Sequence, residues 1–162
     1  MNIFYLHSIP QIAAIYHCDK HVVKMIIETA QLLATAHHEL GNGDKVTYKP
    51  THKNHPSAVW ARSSRLHYMY LVTLGLSLCK EYTKRYGKEH SVEKYFRTEL
   101  NAHPPSLTFS GWSDPPQCMP DECKTKDTVQ AYRQYYRHKK NIMTMRWYKD
   151  NAYAPDWMSA NA

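Results

Sequence analysis

Apolar residues return every three or four positions from Pro10 to about Glu39, the period of one helical face. Ser8-Ile9-Pro10-Gln11 sets a hydroxyl before a proline suited to a first helical turn, with Gln11 placed to reach back to the cap. Asp19 allows a break there, as the cap of a second helix, and Gly41-Asn42-Gly43 ends the run. Residues 44–55 have no helical period and read as a loop or a short strand pair around Val46, Tyr48 and Lys49. Asn54-His55-Pro56 opens the next helix, in which Val59, Leu66, Tyr70, Leu74 and Leu78 trace an apolar face toward Tyr82 before Gly87 closes it. Residues 91–100 suit a short helix. Five of the nine prolines stand between 101 and 126, including Pro104-Pro105 and Pro115-Pro116, and no regular helix runs through them. Asp127-Thr128-Val129-Gln130 has the form of a capping box. Helix resumes from Val129 to about Trp147, with Tyr132, Tyr135, Tyr136, Ile142 and Met143 available for packing. The expected fold is mostly α, a single-domain bundle of four or five helices over residues 1–162 with one long Pro-rich loop. Such a loop is uncommon in a compact domain unless it is functional or disordered.

The length of 162 residues, with 43% hydrophobic and 22% charged positions, fits one self-sufficient core and excludes a disordered chain. No apolar run approaches the roughly 20 residues that span a bilayer, so no membrane partner is expected. MNIFYLHSIPQ has neither the basic start nor the long apolar middle of a signal peptide. Charge changes the picture more: Lys and Arg outnumber Asp and Glu by 21 to 14, a net +7, which favours a phosphate-bearing partner. Cys18, Cys79, Cys118 and Cys123 are scattered through a chain without export signals and read as reduced thiols.

The densest polar feature lies inside the most apolar stretch. His17, His21, Lys24 and Glu28 follow at spacings of four, three and four and share one helix face. Val22, Val23, Met25, Ile26, Ile27, Leu32 and Leu33 fill nearly every other azimuth, which implies a partly buried stripe whose ionisable groups need partners. The bland alternative is a solvated stripe with one Lys24–Glu28 pair worth about 0.3 kcal/mol. A second cluster, Thr51-His52-Lys53-Asn54-His55-Pro56, sits at a loop-to-helix junction, where main-chain N–H groups and the helix dipole favour an anion. Arg62 and Arg65 follow one and two turns later. The competing reading has Asn54 capping the helix while the cations face water. A third group, Met119-Pro120-Asp121-Glu122-Cys123-Lys124, supplies adjacent carboxylates suited to acid/base work or simply to a turn. Toward the C-terminus Arg137, His138, Lys139, Lys140, Arg146, Trp147, Tyr148 and Lys149 interleave aromatics with cations, a pattern that can stack a base and hold its phosphate. His17, Cys18 and His21 lie within one helical turn, but no glutamate follows His17 as HExxH requires, and four residues separate Cys118 from Cys123. No metal or other cofactor is expected. Five glycines leave no Walker or dinucleotide fingerprint.

Three segments, Tyr16-His17-Cys18-Asp19-Lys20-His21-Val22-Val23-Lys24-Met25, Thr51-His52-Lys53-Asn54-His55-Pro56-Ser57-Ala58-Val59-Trp60 and Met119-Pro120-Asp121-Glu122, resemble a widespread family of small phage proteins. That resemblance implies a viral setting, with the cytoplasm of an infected host cell as the expected location. More remotely, the basic helical architecture, the His and acid/base side chains of the first helices, and Arg146-Trp147-Tyr148-Lys149 are similar to the phage pyrimidine-dimer DNA glycosylase and abasic-site lyase family. This second resemblance implies that a terminal amine attacks the sugar carbon, that a glutamate on an early helix assists, and that arginines hold bent DNA. Asn2 is a poor residue for removal of Met1, so the amine would belong to Met1. An approximate count along the helix puts Lys24 at the place of the family's glutamate, with Glu28 one turn further on. Lys20 or Lys24 is an alternative amine if desolvation lowers its pKa.

The three polar clusters are expected to converge on one pocket. The leading expectation is a phage nucleic-acid-acting protein, a DNA N-glycosylase/lyase-like enzyme with a basic phosphate-binding pocket. Its candidate catalytic residues are His21, Lys24, Glu28 and Asp121, with Glu28 or Asp121 as acid/base and Lys24 or the terminal amine as nucleophile. His17, Lys20, His52, Lys53, His55, Arg62, Arg65 and Trp60 are candidates for holding phosphate or ligand. The alternative is a counter-defence protein that sequesters or hydrolyses a small nucleotide signal, a cyclic dinucleotide or an NAD-derived molecule. Paired histidines would then act as base and acid, while Trp60, Tyr48 or Trp112 stacks on the base.

Overall fold

In the computed structural model, which describes residues 2–148 and 153–159, the described residues form the following six α-helices and no strand. They are α1 (Pro10–Tyr16), α2 (Asp19–Glu39), α3 (Pro56–Ala61), α4 (Arg65–Tyr86), α5 (Glu93–Thr98) and α6 (Thr128–Lys139). The mostly α expectation holds, and so does the Pro-rich loop, in which only Asp121–Cys123 forms a 3-10 turn. Residues 44–55 are loop with one 3-10 turn, Gly43–Lys45, in place of the alternative strand pair.

Several helix ends differ from the sequence reading, each for a local reason. Ser8 does not cap α1: Ile9 stands at the N-cap position, and its N–H is taken by His7 Nδ1 at 2.9 Å. The break near Asp19 is present, but Cys18 is the N-cap residue of α2. The Asp19 carboxylate instead accepts from Arg85 at 3.1 Å and from the Tyr148 N–H at 3.0 Å. The helix expected from Pro56 to Gly87 is two helices. The Trp60 carbonyl is taken by the Ser63 hydroxyl at 2.8 Å and the His67 ring at 2.9 Å, and Ser64 then caps α4 by accepting the Leu66 N–H. The break leaves Val59 and Leu66 outside the expected apolar face, at 45% and 39% exposure, while Tyr68, Leu71, Leu74 and Leu78 are buried. Asp127 caps α6 as expected, accepting from the Gln130 N–H. That helix stops at Lys139, well short of Trp147, and Ile142 is exposed rather than packed. Residues beyond it return to the α1–α2 corner, where Arg146 O accepts the Asp19 N–H and the Trp147 indole donates to Tyr16 O, both at 2.8 Å. A continued helix would have used the Arg146 carbonyl for its own ladder.

The core forms where α4 packs along α1 and α2. Gly75 in α4 lets the Phe96 ring of α5 press against the helix backbone, since a Cβ there would lie 2.1 Å from a ring carbon. What positions the site is the N-terminal segment. Ile3, Phe4, Tyr5 and Leu6 are all buried. The Leu6 carbonyl accepts from Arg133 of α6 at 3.0 Å and the His7 carbonyl from Tyr70 of α4 at 3.1 Å, so the segment is tied to two helices and the start of the chain is held against the bundle.

Candidate active site

The polar stripe of α2 splits into a buried wall and a wetter rim. His17 and His21 belong to the wall. His17 is fully buried and its Nδ1–H donates to Ala13 O at 2.6 Å, leaving Nε2 without a hydrogen-bond partner. Burial depresses its pKa to about 4, opposed by the hydrogen bond to the Ala13 carbonyl and assisted to a lesser degree by the Arg85 guanidinium. His21 stacks on Phe4 with ring centroids 4.4 Å apart, and its Nδ1 lies 2.7 Å from the Tyr136 hydroxyl, which also accepts the Cys18 N–H. Burial first, then the charges of His17, Lys139 and Lys24, bring its pKa to about 3. Both imidazoles are therefore neutral at pH 7.

Glu28 and Lys24 form the rim. Lys24 Nζ lies 3.9 Å from the Glu28 carboxylate, and 64% of the lysine side chain is exposed against 16% of the glutamate's. Facing them is the start of α3, where His55 is the N-cap residue and accepts the Ser57 N–H on Nδ1 at 3.1 Å. Asn54 makes no such cap. In the neutral ring this bond places the remaining proton on Nε2. Burial lowers the His55 pKa, the terminal ammonium of the chain and His52 lower it further, and Glu28 raises it. Glu28 and His52 are thus within electrostatic range of the His55 imidazole. The junction is fastened to α2 by a reciprocal pair, the Thr51 N–H donating to Thr35 Oγ1 at 3.1 Å and the Thr35 hydroxyl donating to Thr51 O at 3.3 Å. His52 itself has a left-handed backbone, φ 47°, and its Nδ1 lies 2.7 Å from the Thr51 hydroxyl.

The other candidates are less close to this junction. Lys53 is exposed and 3.9 Å from Glu39, and its carbonyl accepts from Arg62 at 2.8 Å, which braces the loop against the end of α3. Arg65 donates to Leu107 O. Lys20 and Arg146 line a separate recess of about 230 Å³ with Asp19 and Thr144. Trp60 is a core residue: it is buried, stacks on His67 at 4.2 Å and donates to Ser113 O, so it has no free face for a base. Tyr48 packs edge-on against Tyr95. Asp121 does not join the α2 cluster. Its side chain is 94% exposed, its carboxylate is bound by Lys124 at 2.8 Å, and its turn packs on α6. Of the three clusters expected to converge, the first meets the second through Glu28 and His55, while the third stays with α6; outside it, Cys118 lies 4.0 Å from the Ser57 hydroxyl. Sequence reasoning missed Asn2 and Phe4, whose only sequence signal is the apolar run from Ile3 to Leu6. Phe4 supports His21, and Asn2 carries a buried Oδ1 without a hydrogen-bond partner. Lys139, named in the C-terminal run of cations, sits over the Phe4 and Tyr135 rings. Lys149, the last cation of the C-terminal run, lies outside the described residues. Among the described residues no group of three or more His, Cys, Asp or Glu is placed to hold a metal ion.

A basic, mostly helical chain that brings a carboxylate and an imidazole together at one helix junction has the parts of a nucleic-acid-acting protein, and Met1, whose amine the sequence makes a candidate nucleophile, lies outside the described residues. Residues 1–94 match the pyrimidine dimer DNA glycosylase family, and the chain belongs to that family. The match covers α1 to α4 and with them both halves of the junction. No curated protein and no solved structure matches the chain. Membership supports a DNA-glycosylase-like action on nucleic acid, and no described helix is long and apolar enough to cross a membrane.

Proposed function

We propose that the protein is a DNA N-glycosylase with an associated lyase step, in which the terminal amine is the nucleophile and Glu28 the acid/base. What supports this reading is the family match over residues 1–94, which includes the junction where the partly buried Glu28 carboxylate faces the His55 ring. Lys24 and Lys20 are both exposed, outside the sheltered wall, which favours the terminal amine over either of them. Glu28 is favoured over Asp121 by its partial burial beside the junction. The damaged pyrimidine nucleotide must first leave the base stack for its sugar to be reached. The amine lone pair then attacks C1′, the C1′–N bond breaks with its electrons going to the base, and the base takes up a proton. Glu28 accepts the proton that the amine loses. Opening of the sugar gives an iminium, removal of a C2′ proton forms a C2′–C3′ double bond, and the 3′ phosphate leaves with the C3′–O electrons. His52, Lys53 and His55 are the proposed phosphate holders at the junction and Arg62 and Arg65 those beyond it, with His17 and His21 as neutral supports behind.

Duplex DNA bearing a cyclobutane pyrimidine dimer should be cut to the β-elimination product, with binding that weakens steeply as salt rises. Intact duplex together with a large thermal shift from a cyclic dinucleotide or NAD derivative would replace this reading with the nucleotide-signal alternative.

A further inference from the structure

The loop from Leu107 to Ser113 lies outside the family match and is held unusually well for a segment that displays aromatic side chains. Leu107 O accepts from Arg65 Nε at 2.6 Å, Thr108 O from the Arg65 N–H at 3.2 Å, and the Ser110 N–H reaches Ser64 Oγ at 3.4 Å. At its far end the Ser113 N–H donates to His67 Nε2, and Ser113 O accepts from Trp60, both at 3.0 Å. Gly111, at φ 80°, turns the chain between these anchors in the left-handed region. Phe109 and Trp112 project from the fixed loop at 65% and 43% exposure. Among the described residues Phe109 touches no other ring, whereas Trp112 leans on Tyr70 and Trp60, each at 5.5 Å between centroids. Phe109 is thus an exposed ring on a loop held in place at both ends, backed by the partly packed Trp112.

We propose that Phe109, with Trp112 behind it, is an aromatic wedge that stacks on the bases left exposed in duplex DNA when the target nucleotide leaves the helix. The surroundings select nucleic acid over a protein partner. Arg62 and Arg65 lie at the loop's side of α3 and α4 with guanidinium groups only partly used by the carbonyls of Lys53 and Leu107, and the neighbouring Asp114 carboxylate accepts from the Trp112 indole at 3.0 Å. Exposed Leu66 and Met69 extend the apolar strip along α4. Exposed aromatics beside cations are the usual means of holding unstacked bases, and apolar side chains inserted at a base step kink the duplex.

The inference rests on the glycosylase reading, and the test separates the two. Duplexes with 2-aminopurine beside either a cyclobutane dimer or a stable abasic-site analogue are titrated with wild type, Phe109→Ala and Phe109→Trp, and the same proteins are trapped with borohydride on dimer DNA. Phe109→Ala should lower affinity for the damaged duplexes at least about fivefold and remove most of the 2-aminopurine fluorescence rise, with thermal midpoint and undamaged-duplex affinity unchanged. Phe109→Trp should behave as wild type. Wild-type trapping together with an unaltered Phe109→Ala variant overturns the wedge and leaves the glycosylase reading standing. If wild type does not trap, the glycosylase reading falls; the wedge then survives only if the 2-aminopurine signal is present with wild type and lost in Phe109→Ala, and is overturned otherwise.

Discussion

Two pairs of histidines, four residues apart in one case and three in the other, meet opposite fates. His17 and His21 on α2 are sealed among Phe4, Tyr136 and Arg85, whereas His52 and His55 stand at the mouth of α3 beside Lys53 and Glu28. Both pairs look equally chemical in the sequence. The difference lies in what surrounds them. The first pair is held neutral and stabilises the wall behind the site, and the second remains accessible to a charged ligand. A dense run of histidines marks polar chemistry, but burial decides whether that chemistry supports the fold or meets a substrate.

Four changes should sharpen that contrast. The largest effect is expected from Glu28→Gln, which should reduce dimer cleavage by about 10²-fold or more, the range for loss of a general acid/base, while circular dichroism stays that of wild type. Next comes acid. The folded pKa values of His17 and His21 lie near 4 and 3 against an ordinary 6.5, so the unfolded chain binds the extra protons. Their contribution to stability is complete above about pH 6.5 and is lost as pH falls toward 4. At about 1.4 kcal/mol per pKa unit, His17 alone accounts for roughly 3 kcal/mol, a drop of about 6–12 °C in melting temperature across that window. His17→Phe should flatten the profile in calorimetry at pH 7, 5.5 and 4, and an unchanged slope would mean the ring is not sealed. The smallest effects belong to the rim: Arg62→Ala should weaken DNA binding uniformly across sequences and reduce the salt slope by about one phosphate contact. Asp121→Asn should leave cleavage unchanged, in keeping with its distance from the α2 cluster.

The helices that bury one face were legible in the sequence because their period and caps are local. Asp127 and Gly87 act where the pattern puts them, and α2 ends at the glycines that follow Glu39. The misread ends were those decided by distant partners. The Trp60 carbonyl is satisfied by Ser63 and His67 instead of a continued ladder, and Arg146 gives its carbonyl to Asp19, 127 residues away along the chain. The site shows the same division. His21, Lys24 and Glu28 were found from spacing on one helix, and His52 and His55 from the chemistry of a helix start. The choice of Glu28 over Lys24 and Asp121 required knowing their surroundings, since Glu28 is partly buried beside His55 whereas Lys24 and Asp121 are exposed. Trp60 was misassigned because an aromatic beside cations has the same sequence signature whether its ring faces a base or His67.

Borohydride reduction during reaction with dimer-containing duplex, followed by proteolysis and mass spectrometry of the protein–DNA adduct, tests the central claim most directly. A single adduct on the terminal amine, formed by wild type and greatly reduced in Glu28→Gln, is the predicted result. An adduct on Lys20 or Lys24, or no adduct despite strand cleavage, would contradict it.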